Sequence, residues 1–304
     1  MSTIQISHLR KIYGGADAVD DLSLEIPSGS VFGLLGPNGA GKTTTFKCML
    51  GLARASAGTV LYDGKPLMPE TFERIAYVPE RSVLYEWMTV AEHVEMTRRA
   101  FTHFNPERAR ELLAAFHVDP HKRARTLSKG MRTAVMVAIA FARNAEMLVL
   151  DEPTSGLDPV NQRHVLSLII NEAARGCSII FSSHQIGQVE RAAEQIAVID
   201  KGRLVLQGSV DDLKAERKIV EGIFPDAAYT LNGIANDARV LRADRTERIV
   251  RLLVSEGADG VADLLTKAGA TGVRVVDLNL EDIFLYAVSP ADATADVVAE
   301  ENAP

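Results

Sequence analysis

The chain has 304 residues, of which 47% are hydrophobic and 24% are charged, and its formal net charge is −7. This composition is typical of a globular protein, and the length allows a large domain with a smaller one beside it. No apolar run is long enough to span a bilayer, and the N-terminus lacks the features of a signal peptide, so we expect a cytosolic protein. Most of the acidic excess lies in residues 213–304, which hold 10 basic and 16 acidic residues. A nucleic-acid binder usually shows a basic face, and this acidic balance leads us to expect no nucleic-acid partner.

The cysteines predict no disulfide and no zinc site. Cys48 and Cys177 are the only two, and their neighbours indicate a helix face and the start of a strand. Buried free thiols are the favoured interpretation. The spacing of cysteines and histidines matches no zinc motif.

The first part of the chain alternates strands and a helix. Residues 3–9, 19–26 and 58–63 show the alternating pattern of strands. Ser30–Leu35 is an apolar run typical of a buried strand, and residues 44–50 predict a helix with an apolar face.

A glycine-rich motif joins that buried strand to that helix. Residues 36–44 read Gly-Pro-Asn-Gly-Ala-Gly-Lys-Thr-Thr, which fits the phosphate-binding loop pattern. Glycines let successive N–H groups point at phosphates, and the helix N-terminus adds its positive dipole end. Lys42 is expected to reach the phosphates, and the hydroxyl of Thr43 is expected to bind Mg²⁺. The predicted nucleotide-binding residues of the loop are Gly36, Asn38, Gly39, Ala40, Gly41, Lys42, Thr43 and Thr44.

The middle of the chain is predicted to be helical, from about residue 89 to 145. Val90–Met96, Pro106–Phe116 and Gly130–Arg143 have helical patterns. Asn105 before Pro106 is a helix start, with asparagine as the cap and proline at the first position.

Two apolar strands follow, and the first delivers an acidic pair. Met147–Leu150 and Ser178–Phe181 flank a predicted helix over Pro159–Arg175, which indicates a largely parallel sheet. Asp151 and Glu152 stand at the end of the first strand, where ligands bind in such sheets. Solvated acids at a strand end are the alternative interpretation. Together with the phosphate loop, the pair predicts a metal ligand in Asp151 and a catalytic residue in Glu152 that orients or deprotonates water.

The last third of the chain predicts a separate small α+β domain. Ile196–Asp200 and Arg203–Gln207 read as a hairpin, followed by a helix over Val210–Glu216. Beyond it we expect strands at 228–231, 248–254 and 273–276, and helices at 259–268 and 281–287. The predicted organisation is a domain over 1–216, an accessory domain over 217–288, and a disordered tail over 289–304.

The order of five motifs along the chain resembles that of one family. The phosphate loop and the Asp151-Glu152 pair stand with Leu127-Ser128-Lys129-Gly130-Met131, with Pro153–Asp158 and with Ser182-Ser183-His184. Over roughly residues 2–215 this resembles the nucleotide-binding subunit of ATP-binding cassette (ABC) transporters. The resemblance implies an α/β P-loop NTPase fold, with a mostly parallel core sheet, an antiparallel β subdomain and a helical subdomain. It also implies ATP as substrate and Mg²⁺ as cofactor.

The resemblance assigns roles to further residues. It implies that Tyr13 stacks on adenine, although a surface tyrosine is the alternative. Ser128 and Gly130 correspond to the signature sequence, which caps the ATP bound to the opposite subunit. Asp158 matches the loop that crosses the dimer interface, and His184 matches the histidine that contacts the γ-phosphate and the attacking water. Catalysis is thereby expected from Glu152, His184 and Lys42.

The chain departs from the family pattern at several positions. Glu80 stands where the family has a glutamine that binds Mg²⁺ or water. We expect Glu80 to remain a ligand of the metal, with Thr43 and Asp151, while adding negative charge near the γ-phosphate. Lys129 and Met131 also differ from the commonest signature.

Residues 81–88 contain Trp87, the only tryptophan. In the family this region helps form the groove that receives a helix of the membrane subunit, and aromatic residues suit such an anchor. Packing of Leu84 and Trp87 inside the helical subdomain is the alternative.

The resemblance implies a function and partners. Leu278–Leu285 resembles a tail found in ABC subunits of multidrug, bacteriocin or lipid-linked export. The expected protein is an ATPase that energises an exporter, works as a dimer, pairs with a separate transmembrane permease, and lies at the inner face of the cell membrane. The alternatives are a soluble ABC ATPase that acts on ribosomes or DNA, and a nucleotide-dependent regulator outside transport.

Overall fold

The computed structural model describes residues 3–226, 231 and 233–288. The chain divides between Gln207 and Gly208 into two compact units. The strands are β1 (Ile4–Tyr13), β2 (Ala16–Ile26), β3 (Val31–Leu35), β4 (Ala57–Tyr62), β5 (Ile75–Val78), β6 (Met147–Asp151), β7 (Ser178–Ser183), β8 (Gln195–Asp200), β9 (Arg203–Ser209), β10 (Lys218–Ile223), β11 (Val240–Thr246), β12 (Ile249–Val254) and β13 (Thr271–Asp277). The helices are α1 (Lys42–Met49), α2 (Pro69–Arg74), α3 (Val90–Ala100), α4 (Pro106–Ala115), α5 (Lys129–Phe141), α6 (Pro159–Ala174), α7 (Ile186–Ala192), α8 (Val210–Glu216), α9 (Ala258–Lys267) and α10 (Leu280–Val288), with a 3₁₀ turn at Ala124–Thr126.

A six-stranded sheet in the order β5-β6-β7-β3-β8-β9 forms the centre of the first unit. The pairs β5–β6, β6–β7, β7–β3 and β3–β8 are parallel. Every residue of β3, β6 and β7 is buried, as their continuous apolar sequences predict for a sheet covered on both faces. Because these strands are parallel, their carboxyl ends meet at one edge, where the predicted ligand-binding residues follow them.

The predicted hairpin at the end of this sheet is confirmed. β8 and β9 are neighbours joined through Lys201 and Gly202, which have φ of 47° and 79°. Two positive φ values in a two-residue loop are typical of a type I′ turn, whose twist matches that of the strands.

An antiparallel sheet in the order β2-β1-β4 is the second layer of this unit. Much of β1 and β2 alternates buried and exposed residues, and the buried residues of the sheet share a core with β3 and α1. Phe32 and Phe46 are fully buried in that core. This contact fixes the helix behind the phosphate loop against both sheets.

The helical segment contains α3, α4 and α5, whose starts follow local capping signals. Thr89 and Glu92 form a reciprocal capping box at α3, with hydrogen bonds of 3.2 and 2.6 Å. The side chain of Asn105 accepts from two backbone N–H groups at the start of α4, as predicted. Ser128 caps α5 by accepting from the N–H of Met131 at 3.2 Å.

The second unit has a four-stranded antiparallel sheet in the order β11-β12-β10-β13, with α9 packed on one face. The predicted strands at 248–254 and 273–276 and both predicted helices are confirmed, whereas β10 and β11 were not predicted. The expected strand at 228–231 falls almost wholly outside the described residues, and Leu231, which is described, lies in no strand. The expected tail at 289–304 lies outside the described residues. The domain boundary at 216/217 stays a prediction beside the division at Gln207/Gly208.

None of the helices formed by the described residues is both long enough and apolar enough to cross a membrane.

Candidate functional site

A cavity of about 610 Å³ opens at the carboxyl edge of the central sheet. Most of the predicted nucleotide-binding and catalytic residues line it: Asn38, Gly39, Ala40, Gly41, Lys42, Thr43, Thr44, Glu80, Asp151, Glu152 and His184. These residues come from four separate stretches of sequence. The fold therefore assembles in one place what the motifs suggested separately.

The phosphate loop closes tightly around the side chain of Lys42. Its ammonium group donates to the carbonyl oxygens of Gly36 at 2.7 Å and Pro37 at 3.1 Å. Gly41 has φ of 106°, and a Cβ atom there would lie 2.5 Å from the carbonyl oxygen of Ala18. Only glycine fits this position, because a side chain would be both strained and in contact with backbone.

Two hydroxyl groups hold the carboxylate of Asp151. Thr43 donates to Oδ2 at 2.7 Å, and Ser182 donates to Oδ1, also at 2.7 Å. The oxygen donors of Thr43 and Asp151, with Glu80 on the same cavity, are the kind that Mg²⁺ prefers. Among the described residues there is no group of three His, Cys, Asp or Glu side chains that could hold a metal ion. This donor set fits a Mg²⁺ ion that keeps waters and substrate phosphates as its other ligands.

Glu152 is the buried acid beside Asp151, and its backbone is unusual. Its φ is 51°, in the left-handed region that non-glycine residues rarely adopt. Its carboxylate Oε2 lies 2.8 Å from Nδ1 of His184. Strained residues concentrate at functional sites, and Glu152 lines the cavity.

Burial in the cavity shifts the pKa values of its carboxyl groups and of its lysine in opposite directions. Burial raises the pKa of Glu152, and the neighbouring His184 opposes that rise. Burial also raises the pKa of Asp151, against the two hydroxyl hydrogen bonds. Burial lowers the pKa of Lys42, while the surrounding carboxylates oppose that shift. Carboxyl groups with raised pKa values beside a partly desolvated lysine are common at functional sites.

Five predicted residues do not line the cavity. Tyr13, at the end of β1, is 48% exposed, with the Lys11 ammonium 4.6 Å from its ring centre. The side chains of Ser128 and Asp158 cap α5 and α6. Gly130 packs on the backbone, since a Cβ atom there would lie 2.2 Å from the Gly156 carbonyl oxygen. A fifth, Gly36, takes part only through its carbonyl oxygen, which accepts from Lys42.

Some residues of the site were not predicted from the sequence. Ala18, Lys129 and Ser155 line the cavity, and Ser182 lies directly behind Asp151. Lys129 was noted only as a departure from the signature, and Ser182 only as part of the motif before His184. Their positions depend on which strands and loops are neighbours, which no local pattern reveals.

A second, apolar cavity of about 360 Å³ lies among α3, α5, β5 and the segment before α3. Leu84 is half-buried and lines it, together with Met96, Phe101 and Met136. Trp87 is 67% exposed, with its ring 4.9 Å from that of Tyr85. The alternative in which Trp87 packs inside the helical segment is therefore wrong.

Comparison with known proteins finds relatives that are ATP-binding proteins of one kind. The sequence model described as ABC transporter matches residues 19–155. The uncharacterised ABC transporter ATP-binding protein YhaQ of Bacillus subtilis is 38% identical over 216 residues, which cover 69% of this chain and 72% of that protein. Nod factor export ATP-binding protein I of Cupriavidus metallidurans is 33% identical over 295 residues, which cover 93% of this chain and 96% of that protein. The chain belongs to the ABC transporter family of ATP-binding proteins.

The solved structures agree with this assignment. The ATP-binding subunit of an ABC transporter is 30% identical, with a TM-score of 0.64, over 70% of this chain and 92% of that one. The predicted ABC cassette fold is thus confirmed. The family membership makes this an ABC ATPase-type subunit that binds ATP, and the relative named for export supports the exporter resemblance.

Proposed function

We propose that the chain is the ATP-hydrolysing subunit of a membrane exporter and works with a separate transmembrane permease. The observation that carries this proposal is the convergence of three elements on one cavity. These are the phosphate loop with Lys42, the hydrogen-bonded pair Thr43–Asp151, and the pair Glu152–His184. The buried acid Glu152 on this cavity favours hydrolysis over nucleotide binding alone.

The residues of the cavity divide the chemistry among them. The loop N–H groups and Lys42 bind the phosphates, which replace the carbonyl contacts that Lys42 now makes. Thr43, Asp151 and Glu80 hold Mg²⁺, which when bound neutralises charge on the phosphate oxygens. Glu152 orients the attacking water and accepts its proton, and its raised pKa suits that task. His184 holds the carboxylate of Glu152 in place and contacts the γ-phosphate.

A second subunit is needed to complete each site. Ser128, Gly130 and Asp158 lie outside the cavity of their own chain. In a head-to-tail homodimer with twofold symmetry, the signature residues of one chain would cap the ATP of the other, and both sites would form at once. ATP binding closes such a dimer, and hydrolysis with loss of phosphate removes the charge that holds it closed.

The apolar cavity beside α3 is the proposed docking site for the permease. Its apolar lining and the exposed rings of Trp87 and Tyr85 suit an amphipathic helix from a membrane subunit. This contact would place the chain peripherally at the inner face of the cell membrane. The relative named for Nod factor export supports the outward direction of transport.

The decisive experiment compares the wild-type protein with Glu152→Gln and with Glu111→Gln, an exposed glutamate of α4. We expect wild type and Glu111→Gln to release phosphate from ATP, and Glu152→Gln to bind ATP while releasing it at least a hundredfold more slowly, as about 10²–10⁴ is usual for a lost general base. Light scattering after size-exclusion chromatography should show an ATP-dependent dimer of Glu152→Gln. Phosphate release by Glu152→Gln at the wild-type rate would refute the role of Glu152, and a monomer that binds ATP without dimerising would refute the homodimer.

A further inference from the structure

The hydroxyl group of Ser182 makes two hydrogen bonds behind the proposed catalytic acids. It donates to Oδ1 of Asp151 at 2.7 Å and accepts from the backbone N–H of Glu152 at 3.0 Å. Ser182 is fully buried. A single buried hydroxyl thus contacts the proposed metal ligand and the proposed base, although it does not line the cavity itself.

The register of two parallel strands puts the hydroxyl there. Asp151, the last residue of β6, pairs with Ser182, the penultimate residue of β7. Successive side chains of a strand point to opposite faces, so a shift of one residue would turn this hydroxyl away from Asp151. Its neighbour Ser183 illustrates this, because its hydroxyl accepts from the N–H of Gln185 instead.

The first hydrogen bond fixes the orientation of the Asp151 carboxylate. With Ser182 on Oδ1 and Thr43 on Oδ2, both oxygens have a hydroxyl donor, and the carboxylate cannot rotate without losing both. Partners that hold a metal ligand in this way commonly control metal affinity as strongly as some ligands do.

The second hydrogen bond acts on the backbone of the proposed base. Glu152 leaves β6 with φ of 51°, a conformation that persists only where the surroundings over-determine it. The Ser182 oxygen satisfies the buried N–H of Glu152 in this conformation. Without that acceptor the N–H would be left unpaired in the interior, and other backbone conformations would compete.

We propose that Ser182 is a positioning residue for ATP hydrolysis: its one hydroxyl orients Asp151 toward Mg²⁺ and holds Glu152 in the left-handed conformation that aims its carboxylate at the attacking water. This inference rests on the proposed function, since it assigns no chemistry to Ser182 itself. It predicts that removal of the hydroxyl reduces two quantities together: the gain in nucleotide affinity from Mg²⁺ and the rate of hydrolysis.

A purely structural buried hydroxyl is the competing explanation, and the same strand offers a matched control. Ser178, at the opposite end of β7, is also buried, and its hydroxyl accepts from the N–H of Gly29 at 2.7 Å. Ser178→Ala removes the hydroxyl of a buried serine on the same strand, together with one hydrogen bond, away from the site. Ser182→Cys provides a second test variant that keeps nearly the same volume with a much weaker hydrogen-bonding group.

The experiment measures two quantities on wild type, Ser182→Ala, Ser182→Cys and Ser178→Ala. The first is the dissociation constant of ADP by calorimetry, in EDTA and with Mg²⁺, and the second is kcat for phosphate release. For Ser182→Ala we expect the gain in ADP affinity from Mg²⁺ to fall about tenfold and kcat to fall about tenfold or more, within the usual range for such partners. The affinity in EDTA should stay within twofold of wild type, because the phosphate loop is untouched. For Ser182→Cys, the gain in ADP affinity from Mg²⁺ and kcat should both lie between those of wild type and Ser182→Ala. Ser178→Ala should match wild type in both quantities.

A full wild-type Mg²⁺ gain and a kcat within twofold of wild type in Ser182→Ala would overturn the inference, and so would equal losses in Ser178→Ala. If Ser182→Ala does not fold, Ser182→Cys decides by the same criterion. Absence of phosphate release by wild type would instead refute the proposed function, so the two failures are distinguishable.

Discussion

Replacing Glu80 with glutamine removes one negative charge from a cavity that has an excess of them. The charged side chains that line it are Lys42 and Lys129, against Glu80, Asp151 and Glu152. With all of them ionised, the lining carries a charge of −1 before a polyanionic nucleotide enters. The Glu80 charge reaches the other groups, since it opposes both the lowering of the Lys42 pKa and the ionisation of Asp151.

The size of the effect follows from the size of the cavity. Treated as a sphere, a volume of about 610 Å³ is about 10 Å across, so a wall charge lies roughly 6 Å from a phosphate inside it. At an effective dielectric constant of about 40, one pair of unit charges at that distance interacts by about 1.4 kcal/mol. Glu80→Gln should therefore tighten binding of metal-free ADP by about tenfold.

The assay is calorimetric titration of ADP in EDTA and with Mg²⁺, at low and high salt, together with the rate of phosphate release. Because the carboxylate also serves as a proposed metal ligand, the gain in affinity from Mg²⁺ should shrink in Glu80→Gln. Glu86→Gln is the matched control, since it makes the same charge change on an exposed residue outside the cavity. Its ADP affinity should stay close to that of wild type.

Two results would contradict an electrostatic effect of Glu80 on the bound phosphates. An ADP affinity within twofold of wild type in EDTA would mean that Glu80 is too well solvated to act on the phosphates. Equal changes in Glu80→Gln and Glu86→Gln would mean that net charge, not position, controls binding. Unchanged affinity and turnover with Mg²⁺ as well would remove Glu80 from the mechanism.

Three further predictions concern the folded first unit. Gly130→Ala forces a Cβ atom to within 2.2 Å of the Gly156 carbonyl oxygen, so chemical denaturation should show a loss of about 1–3 kcal/mol. Gly187→Ala, in a helix with no atom within 4 Å of the new Cβ, should be neutral or stabilising, and an equal loss there would contradict the steric explanation. Tyr62→Phe deletes a buried hydroxyl that donates at 2.7 Å to the carbonyl oxygen of Met49, the last residue of α1. The free energy of unfolding should fall by about 1 kcal/mol in the same assay. No change would mean that water replaces this hydrogen bond. Burial raises the pKa of Cys177 to about 12, which leaves almost no thiolate at pH 8. The thiol of the native protein should therefore resist alkylation, which should proceed readily after unfolding. Rapid labelling of Cys177 in the native protein, located by mass spectrometry, would contradict that burial.

The second unit contains a strand that the sequence patterns did not predict. β10 was missed because its pattern includes Glu221, a charged residue that proves to be buried. Arg274, on the neighbouring strand β13, donates to its carboxylate at 2.7 and 2.9 Å. A buried carboxylate is tolerable only with such a partner, and the partner lies 53 residues away in the chain. The amphipathic helix α9 was predicted because its signal is contained within ten consecutive residues.

Sequence patterns alone were enough to predict the phosphate loop, the strand and helix beside it, and the acidic pair at the end of β6. These are contiguous features, whose backbone conformations follow from glycine, hydrophobic period and capping residues. The folded structure was needed to show that Ser182 contacts Asp151, that Glu152 adopts a left-handed conformation, and that Trp87 is exposed. Each of these depends on strand register or on packing between distant segments, and such contacts are fixed by the whole fold because no single segment can bury its own surface.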